Sequence, residues 1–549
     1  MERGTSQSST GEHPVPLTIP ADLQACTRPI PGGPQSPAEA LRLAAEENGA
    51  TEAVVGRSGR ITWADLDVAA SGVAELFRQL GVRPGDRVAC SLPNDLDIAV
   101  AFFGVLRAEA IWVGVNQQLA QPEQAFLLED SGASLFVTQS IGLGSAGQVD
   151  NCRVVAVDEP PHGWREAWTT ATTGTVDDPD PFAAAAIAYT SGTTGRPKGA
   201  VHAHRNLVLP LVSRNHLLKG ATPRRFGQCL PLTILNIMVL GPLSAAVNQT
   251  TFVAMDRLDA DGVAEWLQQE AIESVILAPP TVRDLLVRDD IDSSVGKSLT
   301  LGLCGGAAFP DWYRDAWASK FDCPLEGGYG MTEAPTSVVF EDGRAPLGAC
   351  GKSAPHVRVT IRDESGELCP TGTEGEVCVE PNPTGHFAHV WTPMIGYWQR
   401  SDATAEALIG SRYRTGDIGR MDAEGWLSIA DRRNDLILRG GANVYPAEIE
   451  RVLVQHLDVV ACAVLGQHDE RLGERVVAVY QSLSGADIGD ELRQLCSEHL
   501  ARYKVPANFV RIDEFPRNAM GKVVKPALST IIDERARAVF REPTSPKIQ

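Results

Sequence analysis

Apolar and polar residues along this chain follow two periods, one helical and one of short buried runs. From Ser36 to Asn48 the positions Ala38, Leu41, Ala44 and Ala45 recur at helical spacing and predict an amphipathic helix. Ile61-Thr-Trp63 reads as a short strand. Ala64 to Leu80 reads as a helix with Leu66, Ala70, Val73, Ala74 and Phe77 turned inward. A turn at Gly81-Val-Arg-Pro-Gly-Asp86 leads to a strand from Arg87 to Leu92, a helix from Ile98 to Arg107 and a strand from Ile111 to Val115. Strands that alternate with helices imply a mostly parallel sheet covered on both faces. The alternation runs to about residue 340.

The pattern then changes. Gly348 to Lys352, Val357 to Ile361 and Gly375 to Glu380 read as short strands between glycine turns, which predicts a small β-rich subdomain. Beyond Asp431 comes a compact α/β segment: a helix from Pro446 to Gln455, strands from Val459 to Leu465 and Val476 to Gln481, and a helix from Gly489 to Leu500. The charged run Asp431-Arg-Arg-Asn-Asp435 is the expected boundary. The expected division is a disordered segment over 1–35, a large α/β domain over 36–431, a small mobile α/β domain over 432–535 and a tail over 536–549.

Composition narrows the classes. The net charge is −20, from 49 basic and 69 acidic residues, which argues against a nucleic-acid or anionic-membrane partner. An anionic substrate therefore needs a local basic pocket. The 11 cysteines form no Cys-x-x-Cys pair, so a reducing cytoplasm is expected rather than a disulfide framework or a zinc site. The apolar run Ile98–Leu106 is too short to span a bilayer. Neither a signal peptide nor a peroxisomal address is read at the ends.

Candidate chemistry centres on Tyr189-Thr-Ser-Gly-Thr-Thr-Gly-Arg-Pro-Lys-Gly199, which follows the apolar run Phe182 to Ala188. A buried strand runs into a loop whose glycines expose backbone N–H groups. Thr190, Ser191, Thr193, Thr194 and Lys198 add donors and a cation around Gly192, a set suited to a polyphosphate. Pro197 and Gly199 flank the lysine, so no helix opens there and the loop is not the common nucleotide P-loop.

This stretch resembles the signature loop of the adenylate-forming superfamily: acyl- and aryl-CoA ligases, adenylation domains and luciferases. Further stretches match that family in order across residues 50–527: Leu303-Cys-Gly-Gly-Ala-Ala-Phe309, Gly328-Tyr-Gly-Met-Thr-Glu-Ala334, Tyr413-Arg-Thr-Gly-Asp417, Leu438 to Glu450, and Pro516-Arg-Asn-Ala-Met-Gly-Lys522. The resemblance implies that Gly306, Ala307 and Gly328 line the purine, that Tyr329 stacks on it and that Thr332 reaches the α-phosphate. It further implies that Glu333 holds Mg²⁺, Asp417 takes the ribose hydroxyls, Arg432 approaches the nucleotide and Asn434 occupies the hinge. Gly441 would line the channel for the pantetheine arm of coenzyme A, and Lys522 would be the catalytic lysine. Three positions depart from the family. Asn434 stands at the hinge, where Asp or Lys is common, and its amide can still bond the backbone. Pro231-Leu232 is followed by Thr233-Ile234-Leu235-Asn236, with no aromatic or histidine, and Ala507 follows Tyr503-Lys-Val-Pro506 where a basic residue is common.

The implied activity is an ATP- and Mg²⁺-dependent carboxylic acid:CoA ligase working through an acyl-adenylate. Ile234, Leu235, Met331 and Ala334 are the candidate acyl-pocket lining. Without a flat ring at Ile234, a bulky alicyclic, polycyclic or branched acid is expected. The alternatives are an adenylation enzyme that loads a carrier-protein phosphopantetheine in trans, a non-catalytic ATP-binding regulator, and a luciferase-like oxygenase.

Overall fold

The computed structural model describes residues 17–140, 144, 152–158, 163–169, 178–190, 197–219, 222–306, 309–341, 345–346, 348–432, 437–439, 442–469, 473–517 and 523–539. Among them, two seven-stranded sheets carry the bulk of the chain. The first runs Leu325–Glu326, Leu301–Cys304, Ser274–Leu277, Arg225–Gln228, Thr251–Ala254, Glu52–Gly56, Gly59–Thr62, parallel except for its last pair. The second runs Gly396–Tyr397, Lys198–Ala203, Ala184–Thr190, Ile111–Gly114, Arg87–Ser91, Leu135–Thr138, Arg153–Ala156. It is parallel in the middle, and Lys198–Ala203 lies antiparallel to both neighbours. This is the expected α/β class. The helices Pro37–Asn48, Trp63–Gln79, Leu96–Arg107 and His204–Leu217 contribute to one extensive apolar core.

Local chemistry sets the element ends. The Ser36 hydroxyl accepts from Glu39 N at 3.1 Å and opens the first long helix. Thr62 Oγ1 accepts from Asp65 N at 3.2 Å, so Trp63 becomes the first residue of a helix rather than the last of a strand. The expected strand Gly348 to Lys352 shrinks to Lys352–Ser353, because Gly348 (φ +78°) and Gly351 (φ +124°) take conformations outside the strand region. The segment expected to be disordered is ordered from Leu17 onward, whereas 1–16 lie outside the described residues. Ala184 N donates to Leu17 O at 2.8 Å and Ile19 N to Phe182 O at 3.0 Å, while Ile19 and Ile30 are buried. Two isoleucines with a burial site outweigh the polar composition around them.

A five-stranded β sheet is built from Val357–Arg362, Gly375–Pro381, Arg412–Met421, Leu408–Ile409 and Leu427–Arg432. Beyond the 431–435 run the chain makes a further sheet, Ala442–Val444, Ile437–Arg439, Gly473–Ser482, Val459–Asp469, with Asn508–Arg511 at its side. Two apolar clusters belong to this last unit, one around Ile449, Leu453, Tyr480 and Leu492, the other around Leu465, Val477, Phe515 and Leu528. Among the described residues no apolar cluster mixes residues from the two sides of the 431–435 run. No described helix is long and apolar enough to cross a membrane.

Glu380 locks the five-stranded sheet. Its carboxylate accepts from Arg358 at 2.6 Å, Arg362 at 2.6 Å, Arg412 at 3.0 Å and the Thr360 hydroxyl at 3.1 Å. Burial alone pushes its pKa up, but the three guanidiniums outweigh burial and hold it at about 2, against an ordinary value of 4.5. A depressed folded-state pKa contributes stability above the unfolded value and loses it as pH falls through the folded one. Glu380→Gln is therefore expected to cost about 3 kcal/mol in urea unfolding at pH 7. Its deficit against the parent should narrow as pH drops from 4.5 towards 2. An unchanged deficit across that window would refute the assignment.

Candidate functional site

Two paired strands flank the predicted phosphate loop in sequence. Ala184–Thr190 pairs with Lys198–Ala203 in a register that sets Tyr189 opposite Gly199 and Thr190 opposite Lys198. The Thr190 hydroxyl donates to Lys198 O at 3.4 Å. Ser191, Gly192, Thr193 and Thr194 lie outside the described residues. Gly199 is required by close approach: a Cβ there would sit 2.5 Å from the Ile187 side chain. The Tyr189 hydroxyl donates to Asp130 Oδ2 at 2.7 Å.

Beside this hairpin, Tyr397 joins a cation to a carboxylate. It sits on Gly396–Tyr397, paired antiparallel to Lys198–Ala203 with Tyr397 opposite Ala200. Its hydroxyl donates to Glu333 Oε1 at 2.9 Å, and its ring centroid lies 5.4 Å from Lys198 Nζ. Tyr413 is buried next to the same group. Burial, then the nearby Glu333 carboxylate and Tyr397, push its phenol pKa up. A lone carboxylate held by one hydroxyl beside an ammonium suits Mg²⁺, which keeps most of its waters and takes one or two protein carboxylates along with phosphate oxygens.

Residues 88 positions apart meet at the next part of the site: the Tyr329 hydroxyl donates to Asp417 Oδ2 at 2.5 Å. Tyr329 stands on Gly328–Gly330, and Asp417 on Arg412–Met421, where the Thr415 hydroxyl accepts from Asp417 N at 3.0 Å. Burial, then the Asp417 charge, push the Tyr329 phenol pKa up. Gly330 cannot carry a side chain, because a Cβ would meet Thr336 O at 1.9 Å. Gly306 follows Leu301–Cys304 in a left-handed conformation (φ +91°), with no described atom within 4 Å of a Cβ added there. The open backbone at Gly306, the aromatic ring and the carboxylate are a chemically sensible set for purine and ribose. Ala307 lies outside the described residues. Arg432 extends the sheet with its backbone opposite Asp417.

The acyl-lining candidates come from two segments. Asn94 staples the first: its amide donates to Leu230 O at 2.9 Å and Met255 O at 3.0 Å, and its Oδ1 accepts from Leu232 N at 2.9 Å. Ile234 and Leu235 follow, at the start of the short helix Leu235–Met238. Asn236 Nδ2 donates to Met331 O at 3.2 Å, which brings the second segment, with Thr332 and Ala334, against the first. Leu235 and Ala334 are buried, and Ile234 and Met331 are half-buried.

Asn434, Gly441 and Lys522 lie outside the described residues. Nearby, Lys504 of the Tyr503-Lys-Val-Pro506 stretch donates to Glu448 at 2.6 Å, and Arg439 donates to Tyr503 O. Arg517 and Val523 pair as an antiparallel bridge on either side of the segment with Lys522. Sequence reasoning missed Tyr397 and Asp130, and quoted Tyr413 within a motif without giving it a role. Nothing in the sequence separates Tyr397 from other strand tyrosines, because its importance comes from pairing beside the hairpin.

Two family models match the chain, AMP-binding enzyme over residues 41–385 and AMP-binding enzyme C-terminal domain over 448–522. The long-chain-fatty-acid–CoA ligase FadD13 of Mycobacterium tuberculosis is 30% identical over 484 residues, 85% of this chain and 92% of that protein. The indoleacetate–CoA ligase of Aromatoleum aromaticum is 33% identical over 507 residues, 88% of this chain and 95% of that one. Among solved structures, o-succinylbenzoate coenzyme A synthetase (MenE) from Bacillus subtilis, in complex with ATP and magnesium ion, superposes with a TM-score of 0.76 at 27% identity, covering 89% of this chain and 98% of that one.

The Tyr397 contact is testable. Tyr397→Phe removes the hydrogen bond to Glu333 and keeps the ring under Lys198. A group that orients a metal carboxylate is worth about 10- to 100-fold in metal affinity or activity. The variant is expected to need at least tenfold more Mg²⁺ for half-maximal ATP binding, read by calorimetric titration. An unchanged Mg²⁺ requirement would remove Tyr397 from the site.

Proposed function

We propose that this chain, which belongs to the AMP-binding enzyme family, joins a bulky alicyclic, polycyclic or branched carboxylic acid to coenzyme A. It is an adenylate-forming enzyme of the acyl- or aryl-CoA ligase type. The observation that carries the reading is the meeting, in one place, of Lys198 and Glu333 through Tyr397, beside the Tyr329–Asp417 pair. A cation and a metal carboxylate beside a base-and-ribose pair match an ATP whose α-phosphate is attacked.

In the first half-reaction a carboxylate oxygen of the acid bonds to the α-phosphorus, and the bond to the departing pyrophosphate breaks. Asp417 accepts from the ribose hydroxyls and Tyr329 covers the adenine, which places the α-phosphate near Thr332. Thr190, Ser191, Thr193, Thr194 and Lys198 donate to phosphate oxygens as negative charge builds on them. Glu333 would hold Mg²⁺, which when bound would supply positive charge to offset part of that build-up. Lys522 donates to the same centre. In the second half-reaction the coenzyme A sulfur bonds to the acyl carbon, the bond to AMP breaks and the thiol proton leaves to solvent. The domain of 36–431 holds ATP and the acid. The domain of 432–535 turns about Asn434, withdraws Lys522 and brings Gly441 to the site, so one pocket serves both steps. Arg432 approaches the nucleotide from the sheet it shares with Asp417. The reaction is assigned to the cytoplasm, where ATP and coenzyme A are both supplied.

A panel of carboxylic acids in a pyrophosphate-release assay, with coenzyme A and a phosphopantetheinylated carrier protein as competing acceptors, tests the whole reading. Acid-dependent release without thioester on coenzyme A would transfer the second step to the carrier.

Two variant sets test its parts. Ile234→Trp is expected to cut kcat/KM for alicyclic and polycyclic acids about tenfold more than for small ones, because overfilling a pocket costs about 1–3 kcal/mol. A wild-type preference for simple benzoates over bulky alicyclic acids would refute the pocket shape. Lys522→Ala should slow acyl-adenylate formation about 100-fold or more and still convert supplied acyl-adenylate to thioester. Gly441→Leu should form the adenylate and stall there. Single-turnover measurement of both steps decides: equal loss of both in two folded variants sinks the alternation.

A further inference from the structure

Four residues near the candidate acyl-lining segments carry buried polar atoms without partners among the described residues. His202 is completely buried, and neither ring nitrogen has a hydrogen-bond partner among the described residues. Trp112 Nε1, Thr233 Oγ1 and Asn236 Oδ1 are buried and unpartnered in the same sense. Folded proteins satisfy the large majority of such atoms, so a group of them in one place points to a ligand or to bound water.

Sheet register puts these atoms together. Trp112 pairs with Ala186, and Ala186 with His202, across three adjacent strands. Directly paired residues share a face of the sheet. Strands are spaced about 4.8 Å apart, so the Trp112 and His202 backbones stand about 10 Å apart, with the small residue Ala186 on the strand between them. Two segments lie over this face of the sheet. Thr233 O packs against Gly114, two residues beyond Trp112 on the same face, so closely that a Cβ at Gly114 would sit 1.8 Å from it. Thr332 backbone lies beside the His202 ring, outside hydrogen-bonding geometry. Those segments are the ones that carry Ile234, Leu235, Met331 and Ala334, and Asn236 Nδ2 ties them together at Met331 O.

We propose that the acyl pocket ends in a polar chamber formed by His202, Trp112 and Thr233, which hydrogen-bonds a neutral oxygen function, a hydroxyl or a ketone, on the part of the acid remote from its carboxylate. This rests on the acid-ligase reading above and narrows its substrate class. The donor set fits. Burial pushes the His202 pKa down to about 4, so near neutrality the ring offers one N–H donor and one bare nitrogen acceptor. Trp112 adds an N–H donor and Thr233 a hydroxyl that does either. A hydroxyl can donate to the bare nitrogen and accept from the indole, and a ketone can accept from both N–H groups. A neutral chamber provides no charge for a second carboxylate.

The test uses matched alicyclic acids, each as parent hydrocarbon, ring-hydroxylated and ring-oxo form, in acid-dependent pyrophosphate release. The oxygenated form is expected to exceed its parent in kcat/KM by about tenfold or more in at least one ring series, since a site built for a polar group discriminates against an analogue that leaves it unpaired. His202→Leu should reduce that ratio to near one, and Thr233→Val should reduce it in part. The ratio is taken within each variant, so a general loss of activity cancels. Equal use of parent and oxygenated acids by the wild type in every series overturns the chamber. A ratio unchanged in His202→Leu also overturns it and leaves the ring nitrogens to a bound water. Absence of release with every acid overturns the ligase reading and this inference with it.

Discussion

The site depends on one reversal of direction in a sheet that is otherwise mostly parallel. Parallel neighbours need a long crossover, whereas an antiparallel pair can be joined by a short loop with both ends fixed. The pairing of Thr190 with Lys198 holds together the two strand ends that flank the candidate phosphate loop. The outer side of the same hairpin is held as well: Ile395 N donates to Val201 O at 2.8 Å, and Trp398 N to Gly199 O at 2.7 Å. Asp130 then gathers three anchors, accepting at its side chain from Tyr189 at 2.7 Å and Arg400 at 2.9 Å, and at its carbonyl from Trp398 Nε1 at 2.8 Å. A chain with a net charge of −20 repels a polyphosphate at long range, so the compensating donors must be held at one point. Rigid loop ends meet that need without a search for conformation when the nucleotide arrives.

Hydrophobic spacing made the helices and strands of the large α/β part legible, because Leu66, Ala70, Val73, Ala74 and Phe77 do face the core. What it missed followed other forces. Thr62 took the capping position and drew Trp63 into a helix, two glycines shortened a strand, and Ile19 and Ile30 ordered a segment whose composition is polar. In the site, motif residues were legible one by one, while the contacts among them were not. Tyr329 and Asp417 meet across 88 positions, and Tyr397 reaches Glu333 across 64. Such meetings are decided by sheet register, which no local pattern carries.

Burial and polarity are in tension under the segments that carry Ile234 and Met331. Most of the core there is alanine, leucine and valine, and Ala186, Ala188 and Ala200 keep the sheet face low. Small residues next to unpartnered nitrogen and oxygen atoms are costly for folding alone, since each unpaired buried group forfeits about 1–3 kcal/mol. Proteins retain such arrangements where function uses them, and the same logic applies to Tyr397, whose hydroxyl restrains a carboxylate that would otherwise be solvated.

The small C-terminal unit closes its own apolar clusters on both faces of its sheet. A body with a self-contained interior can change its docking without exposing that interior. Among the described residues, the contacts it makes outside itself include Arg451 Nη2 donating to Ile429 O at 3.5 Å. Transient interfaces of that kind exchange contacts for water at little net cost. A unit closed on itself in this way is built to re-dock as a body, and a ligand that binds one docking better than another would set which is populated.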